Sequence, residues 1–211
     1  MKEYTVSIME NNLKVGIVIM ASGLGRRFGS NKLLEDLNGK PLIKWIIDAT
    51  ENLFDKRVVV TRSTSVKQIC DSLKVECILH ELPNRNDTVR LGLSALMSDV
   101  DYCFFTPADQ PLISRQSIIR LVERVKASDC AKLGSEKIVR TSYGDIVGSP
   151  VGFPSVFFEK LLNLPEKKGG GWIAKNHPDM VDLVEVCHEY ELWDVDTVAD
   201  LEKIKNVINK D

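Results

Sequence analysis

The chain has 211 residues, and 28 Lys and Arg against 30 Asp and Glu leave a formal net charge of −2, so its overall field gives no basis for binding nucleic acid or an anionic membrane. With 44% hydrophobic residues it can bury a sizeable core, and one domain over residues 1–211 is expected. Five cysteines, odd in number, widely spaced and without a CxxC pair, read as reduced thiols, and no stretch is long and apolar enough for a signal peptide or a membrane span, so a cytoplasmic protein is expected.

Residues 1–14 are read as an arm or an added edge strand. The first buried strand is "VGIVIM" at 15–20, and a glycine-rich, basic loop, "ASGLGRRFGSNK", follows it. The helix-period stretch "KPLIKWIIDATENLF" then places Leu42, Ile46, Ile47 and Leu53 on one face. Strands are predicted at 57–61, 75–79 and 102–106, separated by the helical patterns "STSVKQICDSLK" and "DTVRLGLSALMS", each opening on a capping residue. After Pro111 come a helix in "SRQSIIRLVERVKAS" and a polar, turn-rich region with strand candidates at 137–142 and 150–153. A helix near 154–163, the turn "KKGGGW", a strand near 181–187 and an amphipathic helix from about 197 complete the order. Strands alternating with helices imply a three-layer α/β/α, Rossmann-like protein whose mostly parallel sheet is covered on both faces.

Ligands of open parallel sheets bind beyond the carboxyl ends of the strands, so the loop after the first strand has the first claim on function. Its glycines let the backbone approach an anion closely, and Arg26, Arg27 and Lys32 bring positive charge to the same space. The plainer reading is a tight turn with solvated basic residues. A dinucleotide fingerprint fits poorly, because the spacing is one residue too long and "TRS" at the end of the second strand offers no ribose-binding acid, although Arg62 leaves a 2′-phosphate open. A Walker A loop is excluded by the residues around Lys32. Asp109, at the end of the strand "YCFFT", offers a hard oxygen ligand or begins a turn, and Asp196 offers a second carboxylate or caps the last helix. The three histidines, His80, His177 and His188, show no metal-ligand spacing and read as structural or exposed.

The stretch "VIMASGLGRRFGSNKLLEDLNGKPLI" resembles the N-terminal signature of the nucleotidyltransferases, and "NRNDTVRLGLSAL" is similar to the base-pocket segment of their cytidylyltransferase branch. "FFTPADQPLIS", "YGDIVGSPVGFP" and "ELWDVDTVADLEKI" resemble segments of the molybdenum cofactor cytidylyltransferases, in that family's order. The resemblance implies transfer of a nucleotidyl group, CMP from CTP, to the terminal phosphate of a molybdopterin-type cofactor, with Mg²⁺ and release of pyrophosphate. It implies catalytic roles for Arg26, Lys32 and Asp109, a metal held by Asp109 and Asp196, and nucleotide contacts from Ala21, Ser22, Gly23, Gly25, Arg85, Asn86 and Thr88. It also implies a molybdoenzyme apoprotein as a possible partner. Four alternatives stay open: guanylyl transfer to the same cofactor, cytidylyl transfer to a sugar phosphate or to a polyol phosphate, and a non-catalytic carrier of nucleotide or cofactor.

Overall fold

The computed structural model describes residues 13–23, 28–29, 31–130 and 137–209. In chain order these form β1 (Val15–Ala21), a short hairpin of β2 (Asp36–Leu37) and β3 (Lys40–Pro41), α1 (Leu42–Ala49), β4 (Lys56–Thr61), α2 (Thr64–Ser72), β5 (Glu76–Leu79), α3 (Arg85–Leu96) and β6 (Tyr102–Pro107). They continue with α4 (Arg115–Cys130), β7 (Ile138–Tyr143), β8 (Ile146–Pro154), α5 (Phe158–Leu162), α6 (Gly170–Asn176), β9 (Val181–Glu185) and α7 (Val198–Ile208). Most of the arm or edge strand expected at 1–14 lies outside the described residues.

Seven strands form one sheet in the order β5-β4-β1-β6-β8-β7-β9, and all run parallel except β8, which is antiparallel to both its neighbours. Side chains of successive strand residues point to opposite faces, and β1 uses both. Ile19 and Ala21 pack with α1, α2 and α7 through Ile46, Val66 and Leu201, and Val15 and Ile17 pack with α4 through Leu121 and Val125. Val18 packs on the other face with α3 and α5 through Leu93 and Leu161. A strand buried on both faces must be apolar throughout, which is why "VGIVIM" shows no alternation.

The inserted strand β8 is fixed by a buried phenol. The Tyr102 hydroxyl accepts from the Val139 N–H at 3.0 Å and lies 2.9 Å from the Gly152 carbonyl, which accepts from it. Burial pushes the phenol pKa far up, so the group stays a neutral donor. The chain leaves β1 toward β4 on one side, while β6 joins it on the other, and the divergence opens a crevice at the carboxyl ends of β1 and β6.

Candidate active site

A cleft of about 650 Å³ lies at that crevice, within the size range of small-molecule sites. Ser22 and Gly23 reach it from the end of β1, Asp109 from beyond β6, Arg85 and Thr88 from the first turns of α3, and Lys32 and Asp196 from loops far apart in sequence.

Lys32 is the first residue of a single 3-10 turn, Lys32–Leu34, whose preceding residue, Asn31, accepts from the Leu33 N–H at 3.3 Å. Asn31 also donates to the Ser63 hydroxyl at 2.9 Å, which ties the loop to the start of α2. The Lys32 side chain is consequently held inside, only 8% exposed. Its ammonium lies 2.6 Å from Asp109 Oδ2 and 3.0 Å from Asp196 Oδ1, and donates to the Val195 carbonyl at 2.5 Å. Burial opposes that charge, but the hydrogen bonds and negative charges of Asp109 and then Asp196 outweigh it and hold the lysine pKa above its ordinary value. The Val195 N–H donates to the Asp109 carbonyl at 2.9 Å, so the two acidic segments are joined through their backbones as well.

A third carboxyl, Asp194, lines the same cleft. Burial, and then the negative charges of Asp109 and Asp196, push its pKa up to about 6, with a contact to Gln110 acting the other way. Among the described residues no three His, Cys, Asp or Glu side chains form a ready-made metal cage. Two hard carboxylates converging on one point nevertheless suit an ion such as Mg²⁺, which takes one or two protein carboxylates and completes its shell from water and phosphate.

Sequence-predicted residues fall into three groups. Ser22, Gly23, Lys32, Arg85, Thr88, Asp109 and Asp196 share the cleft. Ala21 stands behind it with its carbonyl bound by the Thr61 hydroxyl at 3.0 Å, and Asn86, expected at the nucleotide, instead donates to the Leu164 carbonyl at 3.1 Å. Gly25, Arg26 and Arg27 lie outside the described residues. The helix-cap alternative for Asp196 is replaced by its neighbour: Thr197 caps α7, accepting from the Asp200 N–H at 3.2 Å in a reciprocal capping box. Asp87 likewise serves α3 as the acidic member of a box with Asn84, so the helix starts three residues earlier than a cap at Asp87 indicates.

Arg62, weighed only as a 2′-phosphate contact, is spent on the protein: its Nε and Nη2 donate to the Ser22 carbonyl at 2.8 and 2.5 Å. Its place right after a buried strand was the available signal. His80, Gln110 and Ser149 also belong to the site or its wall; Gln110 and Ser149 fall inside the quoted stretches "FFTPADQPLIS" and "YGDIVGSPVGFP" without being singled out, and His80 carried no pattern that marked it.

Residues 17–181 match the MobA-like NTP transferase domain, a span that holds Lys32, Thr88 and Asp109. The chain belongs to that family. The family is one of nucleotidyltransferases, which favours an enzyme over the carrier alternative. Over 138 residues, 58% of this chain and 63% of the relative, it is 31% identical to a 2-C-methyl-D-erythritol 4-phosphate cytidylyltransferase of Endomicrobium trichonymphae. Over 72 residues, 33% of this chain and 37% of the relative, it is 42% identical to a probable molybdenum cofactor guanylyltransferase of Pyrococcus horikoshii. The aligned stretches thus span less than two thirds of either relative's length. A nucleotidyl transferase of Methanothermobacter thermautotroptrophicus shares the fold with a TM-score of 0.78 at 18% identity, covering 93% of this chain and 98% of that one.

Proposed function

We propose that this MobA-like NTP transferase moves CMP from CTP to the terminal phosphate of a molybdopterin-type cofactor. The reading rests above all on the Lys32 ammonium held between Asp109 and Asp196 in a cleft that Arg85 and Thr88 also line. In the reaction an oxygen of the acceptor phosphate bonds to the α-phosphorus while the bond to pyrophosphate breaks. The attacking oxygen is already anionic, so positioning and charge neutralisation, rather than a general base, carry the catalysis. Lys32 turns its N–H donors from the carboxylates to the α-phosphate oxygens, and Gly23 supplies a backbone amide. Arg26 and Gly25 take the departing phosphates by their place in the loop sequence. Asp109 and Asp196 would hold Mg²⁺, which supplies Lewis-acid neutralisation of phosphate charge when bound.

The choice of CTP follows from the donors at the nucleoside side. Arg85 and the Thr88 hydroxyl line the cleft, whereas the buried carboxylate of α3, Asp87, is committed to the Asn84 N–H at 3.0 Å and to Arg90 at 2.7 Å. Cytosine offers two acceptors to such donors, while the two N–H donors on the pairing edge of guanine need acceptors. A second reading, guanylyl transfer to the same acceptor, draws on the 42% identity with the probable molybdenum cofactor guanylyltransferase. The product would pass to a molybdoenzyme apoprotein, in the cytoplasm.

Pyrophosphate release with Mg²⁺ and molybdopterin cofactor, CTP against GTP, is the test. Release with CTP and not GTP is expected. Preference for GTP would move the reading to guanylyl transfer, and release only with a sugar or polyol phosphate as acceptor would overturn the cofactor assignment.

A further inference from the structure

Beneath the nucleoside side of the cleft, one histidine joins two walls that come from different parts of the chain. His80 Nε2 lies 2.8 Å from the Ser22 hydroxyl, and His80 Nδ1 accepts from the Leu82 N–H at 3.2 Å. The Ser22 hydroxyl in turn donates to the Val60 carbonyl at 3.1 Å.

The directions of these bonds are fixed by chemistry. A carbonyl can only accept, so the single hydroxyl hydrogen of Ser22 goes to Val60, and Ser22 Oγ must accept from His80 Nε2–H. A backbone N–H can only donate, so Nδ1 must present its lone pair to Leu82. The chain of bonds closes only with the neutral, Nε2-protonated ring.

We propose that His80 is a positioning residue for the nucleotide, holding the Ser22 wall and the Pro83 wall of the cleft in register through its neutral ring. The inference rests on the reading of this cleft as a nucleotide site. Both walls line the cleft, and α3, which carries Arg85 and Thr88, begins directly after Pro83 and its cap Asn84. Arg62 makes a parallel tie, binding the Ser22 carbonyl and, at 3.4 Å, the Pro83 carbonyl.

Two charged groups bear on the ring: Arg62 from the end of β4 and Asp87 from α3. Burial, and then the Arg62 guanidinium, pull the imidazole pKa below its ordinary value, with Asp87 acting in the opposite sense. Protonation places a hydrogen on Nδ1 against the Leu82 N–H and a second cation near Arg62. Acid therefore loosens the wall, and nucleotide affinity falls before the chemical step is touched.

The experiment is steady-state kinetics of His80→Ala and His80→Gln, with melting temperatures recorded, using the triphosphate that the wild type turns over. At pH 8, His80→Ala is expected to raise the nucleotide KM about tenfold with kcat within about twofold, the scale of one or two lost hydrogen bonds. Glutamine keeps a donor toward Ser22 and does not titrate, so His80→Gln is expected to regain most of the loss. The ratio of wild-type to His80→Gln KM should rise as pH falls from about 7.5 to 5.5, a ratio in which the titration of the substrate's own phosphates cancels. A flat ratio, or an unchanged KM in His80→Ala, overturns the proposal. A parallel loss of kcat and melting temperature in both variants overturns it in favour of a purely structural role. If His80→Ala does not fold, the His80→Gln pH ratio decides alone. Wild-type protein that binds neither CTP nor GTP overturns the nucleotide site and this inference together, whereas binding that His80 does not affect overturns the inference only.

Discussion

An ammonium has three N–H donors, and Lys32 directs them to Asp109, Asp196 and the Val195 carbonyl. Because its folded pKa is raised, the stabilising pairing is complete below the ordinary lysine pKa of about 10.4 and is lost only as pH rises through the higher folded value. Lys32 is thus charged throughout the neutral range. Lys32→Ala is expected to lower kcat by about 100- to 1,000-fold, equally at pH 6 and pH 8, by pyrophosphate release. Lys32→Arg should not restore the rate, since a planar guanidinium does not fit the buried slot of a compact ammonium. A wild-type rate in Lys32→Ala would remove Lys32 from the mechanism. At this scale the sequence showed Lys32 and Asp109 clearly, because a cation in a glycine loop and an acid at a strand end are local patterns. The closure of Lys32 on Asp196, 164 positions away, is a product of the fold and shows only in three dimensions. His80, read as structural or exposed, and Arg62, left open as a 2′-phosphate contact, were not tied to the cleft wall for the same reason, their partner Ser22 lying far from either in sequence.

The helix that carries Arg85 and Thr88 is set by one close approach. A Cβ at Gly92 would stand 2.3 Å from Val18 Cγ1 and 2.8 Å from its Cγ2, so α3 lies nearer to β1 than any residue with a side chain permits. Gly92→Ala gains about 1 kcal/mol in helix propensity but incurs an overpacking cost of about 1–3 kcal/mol or more at such a distance. A net loss of about 1 kcal/mol is expected, seen as a lower denaturation midpoint at an unchanged m-value. Val18→Ala in the same chain should shrink that loss, and a full loss in the double variant would show that the clash lies elsewhere. Elements were legible where local chemistry decides them: β1, β4, β5 and β6 stand close to where their apolar runs predict. The start of α3 was less so, since Asn84 and Asp87 are both good caps and the capping box uses the two together. The direction of β8 was not legible, because the composition of a strand carries no information about which way it runs against its neighbours.

Across the molecule, the acidic side chains of the site are held by elements that do not need them for packing. The buried layers on the two faces of the sheet are built from residues such as Ile46, Val66, Leu93 and Phe153, and the carboxylates of Asp109, Asp194 and Asp196 sit at the rim, where the strands end. The fold should therefore survive without a divalent ion, while an ion that binds the native rim and not the unfolded chain must stabilise by linkage. At a concentration about 100 times its dissociation constant the gain is about 2.7 kcal/mol, which for a chain of this size raises the melting temperature by roughly 5–10 °C. Adding Mg²⁺ is expected to produce such a shift, a chelator to reverse it with a cooperative transition still present, and Asp109→Asn or Asp196→Asn to abolish it. Turnover should vanish with the chelator at a temperature where the protein remains folded. Unfolding on chelation would instead mean that the ion, and not the sheet with its two helical layers, holds the carboxyl ends of β1 and β6 together. A shift that survives in both carboxylate variants would move the metal away from Asp109 and Asp196.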